Sequence, residues 1–159
     1  MPVTVGANFR TVVHKASNGI TMAFPDVCLT PAPPSPPVPI PYPNIAMSSD
    51  SAKTAKKVKA DGCAICVESS NFKRSTGDEP GVNKGVASGT VMDKAEFITY
   101  SFDVKAEGKG VSRAFDLMLH NSKNTPPFPL IQPPLITIPL FPDPPETPKE
   151  WAPVKIDVE

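Results

Sequence analysis

The apolar positions of this chain alternate over short stretches instead of recurring at helical spacing. FRTVVH (9–14) is β-branched and ends at Ser17-Asn18-Gly19, and GITMAF (19–24) follows and stops at Pro25. With Asn-Gly supplying the positive φ angles of a tight turn, the two segments predict a hairpin. CAICVE (63–68), after the turn pair Asp61-Gly62, predicts another strand. AEFITYSFDV (95–104) sets Ile98, Tyr100, Phe102 and Val104 at period two, the pattern of a half-buried strand. In KGVSRAFDLMLH (109–120), Val111, Arg113, Phe115, Leu117 and Leu119 share one face and Ser112, Ala114, Asp116, Met118 and His120 the other. Glycines at 77, 81, 85, 89, 108 and 110 punctuate these runs as turns. No internal repeat of fixed period stands out. The expected fold is all-β, built from short strands.

Proline sharpens that reading. There are 22 prolines in 159 residues, about three times ordinary usage. Each removes a backbone donor and locks φ, so a mostly helical protein is excluded. Eight of them fall between Pro31 and Pro43, and ten between Pro126 and Pro148. The clusters divide the chain into a β domain over residues 1–125, with a proline-rich loop inserted at 31–43, and a proline-rich extension over 126–159. Both clusters suit polyproline II, a stiff spacer without internal hydrogen bonds. PSPP (34–37) satisfies PxxP, which makes a proline-rich adaptor the second reading of the chain. The extension also carries Leu130, Ile131, Leu135, Ile136, Ile138, Leu140, Phe141 and Trp151, too many apolar groups for a pure linker. It is expected to dock on a partner protein.

Charge narrows the function classes. Lys plus Arg equals Asp plus Glu at 16 each, for a formal net charge of zero. That balance argues against a generic nucleic-acid binder and against a polybasic membrane-surface protein. KTAKKVK (53–59) gathers four lysines and reads as a solvated face. No apolar run reaches the roughly 20 residues of a membrane span. MPVTVGANFR lacks the pattern of a secretory signal, so synthesis in the cytoplasm is expected. Three cysteines, an odd number, suggest free, buried or metal-bound thiols.

Catalytic motifs are not found. GDEPGVNKG (77–85) lacks the Gly-Lys-Ser/Thr ending of a phosphate loop. Asp78 and Glu79 read as turn residues, and Cys28 has no local nucleophile signature beside His14 or His120. Metal binding remains open, with His14, His120, Cys28, Cys63 and Cys66 as candidates, more than the four ligands tetrahedral zinc needs. The single CxxC at 63–66 is a weak pair, because residues three apart on a strand face opposite ways.

Taken together, AFPDVCLTP (23–31), VPIPYPNIAMSSD (38–50), FKRSTGDEPG (72–81), KGVASGT (84–90), SFDVKAEGKGVSR (101–113) and DLMLHNSKNTPP (116–127) resemble the PAAR-like family of spike-tip proteins from contractile injection machines, chiefly type VI secretion. The literal Pro-Ala-Ala-Arg tetrapeptide is absent, which places the resemblance in a divergent branch. It implies a conical β domain with approximate threefold arrangement of short strands, one copy seated on a trimeric VgrG-type spike, its point leading the puncture of a target membrane. It implies a non-enzymatic structural protein, assembled in the bacterial cytoplasm and injected without a signal peptide, its tail tethering an effector or adaptor. It also implies a structural zinc near the apex, carried onto His14, Cys28 and His120, with Cys66 or Cys63 as fourth ligand.

Overall fold

The computed structural model describes residues 3–134, and all of its longer elements are strands. Residues 135–159, with most of the apolar tail expected to dock on a partner, lie outside the described residues. The strands run β1 Gly6–Ala7, β2 Arg10–Thr11, β3 Ile20–Ala32, β4 Ser35–Met47, β5 Ser51–Ala52, β6 Lys59–Ala60, β7 Cys63–Ala64, β8 Asn71–Phe72, β9 Ala95–Phe97, β10 Lys105–Ala106, β11 Lys109–Gly110, β12 Leu117–Leu119 and β13 Phe128–Ile131. A 3₁₀ turn at Ser48–Asp50 joins β4 to β5, and no α-helix occurs among the described residues.

Seven strands form one sheet in the order β4-β3-β13-β12-β9-β8-β5. Its interior packs Val13, Ala46, Cys66, Phe72, Ala95, Phe97, Met118 and Leu130. Phe72 and Phe97 meet edge to face, with centroids 5.6 Å apart. The expected hairpin of 9–14 with 19–24 does not form. β2 pairs with β1, whereas β3 takes β4 and β13 as neighbours. β13 lies beyond the expected boundary at residue 125, so the β domain continues into the proline-rich extension. The period-two run 95–104 also breaks after Phe97, because Phe102 is 86% exposed and Val104 points outward. The run 109–120 splits at Phe115, whose φ of 68° turns the chain.

The proline-rich stretch 31–43 is not a polyproline loop. It is the tip and second strand of a long antiparallel hairpin in which Cys28 pairs with Ile40 and Asp26 with Tyr42. Val27 and Leu29 of β3 bond to Val86, Lys84 and Asn83 on the other side, so the even-numbered residues face β4. Tyr42, Ile40 and Val38 therefore point their amides inward, and Pro37, Pro39 and Pro41 occupy the positions facing the free edge, while Pro43 lies against Gly77. An edge whose outward residues lack N–H groups gives another strand no donors to pair with.

The second region consists of three two-residue hairpins, β1–β2, β6–β7 and β10–β11. Asn8-Phe9, Asp61-Gly62 and Glu107-Gly108 turn them, all with positive φ. Beyond each hairpin the chain enters a closed ring. Val13 N–H donates to Ser112 O (3.1 Å), Ser112 N–H to Cys66 O (3.1 Å), and Cys66 N–H to Val13 O (2.8 Å). The next residues repeat as well: the amides of His14, Val67 and Arg113 donate to the side chains of Ser17, Ser70 and Asp116. Ala7, Ala60 and Ala106, with Val12, Ile65 and Val111, make up most of the apolar cluster behind the ring.

Turn side chains clasp the ring from outside. Asn8 Nδ2 donates to Asp103 Oδ1 at 2.9 Å. Asp61 accepts the amide of Thr4 at 3.0 Å and also its hydroxyl. Glu107 accepts the amides of Lys56 and Lys57 at 2.9 and 2.7 Å. Each turn thereby grips the segment leading into a different hairpin, and the three clasps run around the ring in one direction.

Candidate functional site

The motifs that carried the resemblance converge on one buried cage beside the ring. Asp26 and Cys28 alternate along β3, Asn44 comes from β4, Ser75 and Asp78 from the loop after β8, and Asn121 and Asn124 from the loop after β12. Asn121, Ser122 and Lys123 are three consecutive residues with φ of 48°, 52° and 72°. That left-handed run costs energy for side chains with a Cβ, and it points both asparagine amides at Asp26. Asn44 Nδ2 donates to Asp26 Oδ2 at 2.6 Å and Asn121 Nδ2 to Oδ1 at 3.3 Å, with Asn124 on the same oxygen.

Inside this cage Asp26, Cys28 and Asp78 are fully buried and form a group able to hold a metal ion. The Cys28 sulfur lies 3.6 Å from Asp26 Oδ1 and 3.7 Å from Asp78 Oδ2. Burial, reinforced by the two carboxylates, pushes the Cys28 thiol up to about 12. Burial beside Asp26 also raises Asp78, to about 6. As the group stands, the thiol keeps its proton and donates a hydrogen bond toward the carboxylates.

The ligands expected from the sequence do not assemble. Among the described residues, the metal-capable group contains Cys28 but neither histidine. His14 has both ring nitrogens engaged: Nδ1 accepts the Ala16 amide (3.2 Å) and Nε2 faces Asp61 Oδ2 (3.2 Å). An imidazole held that way has no free lone pair for a metal. His120 Nε2 faces Thr21 Oγ1 at 3.1 Å, while its buried Nδ1 has no partner. Burial lowers His120 to about 4, so it is neutral. Cys66 points into the sheet core, its thiol raised to about 11 by burial, and Cys63 sits in β7. Sequence reading missed Asp26 and Asp78, the other two members of the metal-capable group. By sequence Asp78 reads as a turn residue in GDEPG, and only the fold sets it against Cys28.

The donor set suits a zinc-class ion in chemistry. One sulfur and two carboxylate oxygens at these separations match neighbouring corners of a small coordination shell. Two further buried oxygens of the cage, Asp78 Oδ1 and Asn44 Oδ1, have no hydrogen-bond partner. A bound divalent cation would favour the thiolate and both carboxylates, reversing the raised values of Cys28 and Asp78.

A ring of three short hairpins and a buried cage define a small all-β domain. The chain belongs to the toxin PAAR-like domain family, whose match covers residues 19–127. It is 41% identical over 138 residues to the DNase toxin Tse7 of Pseudomonas aeruginosa, an alignment covering 80% of this chain and 36% of that protein. The chain thus spans about a third of that relative's length. No solved structure matches. The relative overturns the expectation of a non-enzymatic protein. It is named for nuclease activity.

Proposed function

We propose that this domain is the tip of a type VI secretion spike and the delivery part of a toxin of the kind its relative represents. In this reading the three hairpins and their ring form a pseudo-threefold cone that caps one VgrG-type trimer per copy. The closed ring of Val13, Cys66 and Ser112 hydrogen bonds carries the reading. A single chain that must seat on three identical chains needs three equivalent edges, and here the backbone repeats its pairing three times. In this reading the contractile machine itself carries the domain out of the cell. The DNA-cleaving activity named for the relative is proposed for the toxin as a whole, with DNA as its substrate rather than as a partner of the β domain.

A structural zinc-class ion held by Asp26, Cys28 and Asp78 is part of the proposal, in place of the set His14, Cys28 and His120. Metal binding free energy becomes folding free energy in small domains, and this cage ties β3, the loop after β8 and the loop after β12 together.

Mixing the purified chain with the VgrG-type trimer and measuring mass by light scattering tests the central claim. One copy per trimer is expected. Absence of any complex would remove the spike-tip reading.

A further inference from the structure

The outer face of the seven-stranded sheet reverses the usual distribution of polarity. An antiparallel sheet with one side in water alternates apolar residues inward with polar residues outward. Along β3 the order is opposite: Thr21 and Ala23 face the core, whereas Ile20, Met22 and Phe24 are 45%, 56% and 52% exposed. Residues paired directly across strands share a face, so the register shows how far this continues. Ile20 pairs with Met47 of β4 and with Ile131 of β13, and those two are 48% and 46% exposed. Met22 pairs with Ile45, and Pro129 with Leu117 of β12. The opposite face of the same strands holds Ala46, Leu130 and Met118 of the core. Apolar residues on both sides of a strand are the pattern of a sheet covered on both faces. Where β3 meets β13 the outer face sinks into an open groove lined by Ile20, Met22, Phe128, Ile131 and Pro133. Its volume is about 410 Å³, within the range of about 300–1,000 Å³ typical of binding clefts.

The end of the described chain points to the occupant. Pro133 lies in the groove wall and Pro134 is the last described residue, so the described chain ends at the groove itself. The sequence continues Leu135-Ile136-Thr137-Ile138-Pro139-Leu140-Phe141, in which Thr137 is the one polar residue and no side chain is charged. Seven extended residues reach about 23 Å. The four strands β4, β3, β13 and β12 span about 14 Å at ordinary strand spacing. The run is therefore long enough to cross the whole apolar face. Attached at the edge of that face, it meets it at an effective concentration on the order of millimolar, an advantage that a separate partner lacks. A bare apolar patch is also an aggregation liability, which a cover of this composition removes.

We propose that the outer face of β4, β3, β13 and β12 is the binding site of residues 135–141 of the same chain, with Ile20, Met22 and Ile131 at its centre. In this proposal the partner expected for that apolar run is the domain's own sheet. The assignment is independent of the spike-tip reading, since it needs no second protein.

The test uses the full chain and reads methionine oxidation by dilute hydrogen peroxide, which converts exposed thioethers to sulfoxides. Ile136→Ser, Ile138→Ser and Phe141→Ser together, all beyond the described strands, are expected to raise oxidation of Met22 and Met47 by roughly fivefold or more. Met118, fully buried, stays unoxidised in both chains and reports that the domain remains folded. Met22→Glu, at an exposed position, is the reciprocal variant. It is expected to speed chymotrypsin cleavage after Leu140 by about tenfold, because cleavage tracks the population of the open form. Equal Met22 and Met47 rates in wild type and the triple variant overturn the proposal. Slow rates in both, with light scattering giving twice the chain mass, would make a second copy the cover, and fast rates in both would leave the face to a separate protein. Cleavage after Leu140 unchanged by Met22→Glu overturns it too, even where the triple variant misfolds.

Discussion

Gly81 lies so close to Cys28 that a methyl group on its Cα would stand 2.3 Å from the cysteine Cβ and 3.4 Å from its sulfur. The loop after β8 is pressed against β3 at this point, and that approach is what brings Asp78 to the Cys28 thiol. Gly81→Ala must push the loop away. The expected loss is about 1–3 kcal/mol of stability, the range of overpacked sites, measured by urea unfolding. A variant as stable as wild type would show that the loop is not held by this contact.

Metal content follows from the same cage. Protein purified without chelator is expected to carry zinc in near-equal ratio by plasma mass spectrometry, and Asp78→Asn or Cys28→Ser to lose most of it together with thermal stability. Zinc near zero in wild type, with Asp78→Asn more stable than wild type at neutral pH, would instead mean that a bare carboxylate pair occupies the cage at a cost.

The clasps around the ring give a third expectation. Asn8 donates to Asp103, accepts the Ser101 hydroxyl and accepts Arg113 Nη1 at 2.9 Å. Asn8→Ala leaves the mostly buried Arg113 short of an acceptor, a loss of about 1–3 kcal/mol, and removes one of three links. Amide exchange should rise first at Ser101, whose N–H donates to Val111 O beside that link.

His120 sets a pH dependence. Its folded value is about 4, below an ordinary imidazole, because burial disfavours the charged form. In that window the unfolded chain binds more protons than the folded one. The stability is present above the ordinary histidine value and is lost as pH falls from about 6.5 toward 4. Asp26 faces His120 and opposes the shift, and in metal-free protein Asp78, raised to about 6, works against it over the lower part of the window. His120→Gln, which keeps a donor for Thr21, should flatten the slope between those pH values in thermal melts. An unchanged slope would place the titration elsewhere.

Strand content and the proline exclusion of helices could be read from local chemistry alone. So could two of the turns, because Asp61-Gly62 and Gly108 belong to residue types that tolerate positive φ, whereas the turn at Asn8-Phe9 carried no such signal. The threefold repetition could not. Its three units begin at Ala7, Ala60 and Ala106, separated by unequal insertions, and their shared residues are alanines, valines and serines. Hydrogen bonds between backbones at Val13, Cys66 and Ser112 leave no signature in side-chain identity.

What this sequence determined by itself was its class: alternating short strands, punctuating turns and a motif set specific enough to name a family. Only the tertiary structure decided the partners. It set Asp26 and Asp78 on Cys28 where sequence reading had looked to His14 and His120, and it paired the proline stretch into a strand. The physical reason is range. Turn formation and strand preference act over a few residues, whereas a buried ligand set or a closed ring is chosen by which distant segments pack together.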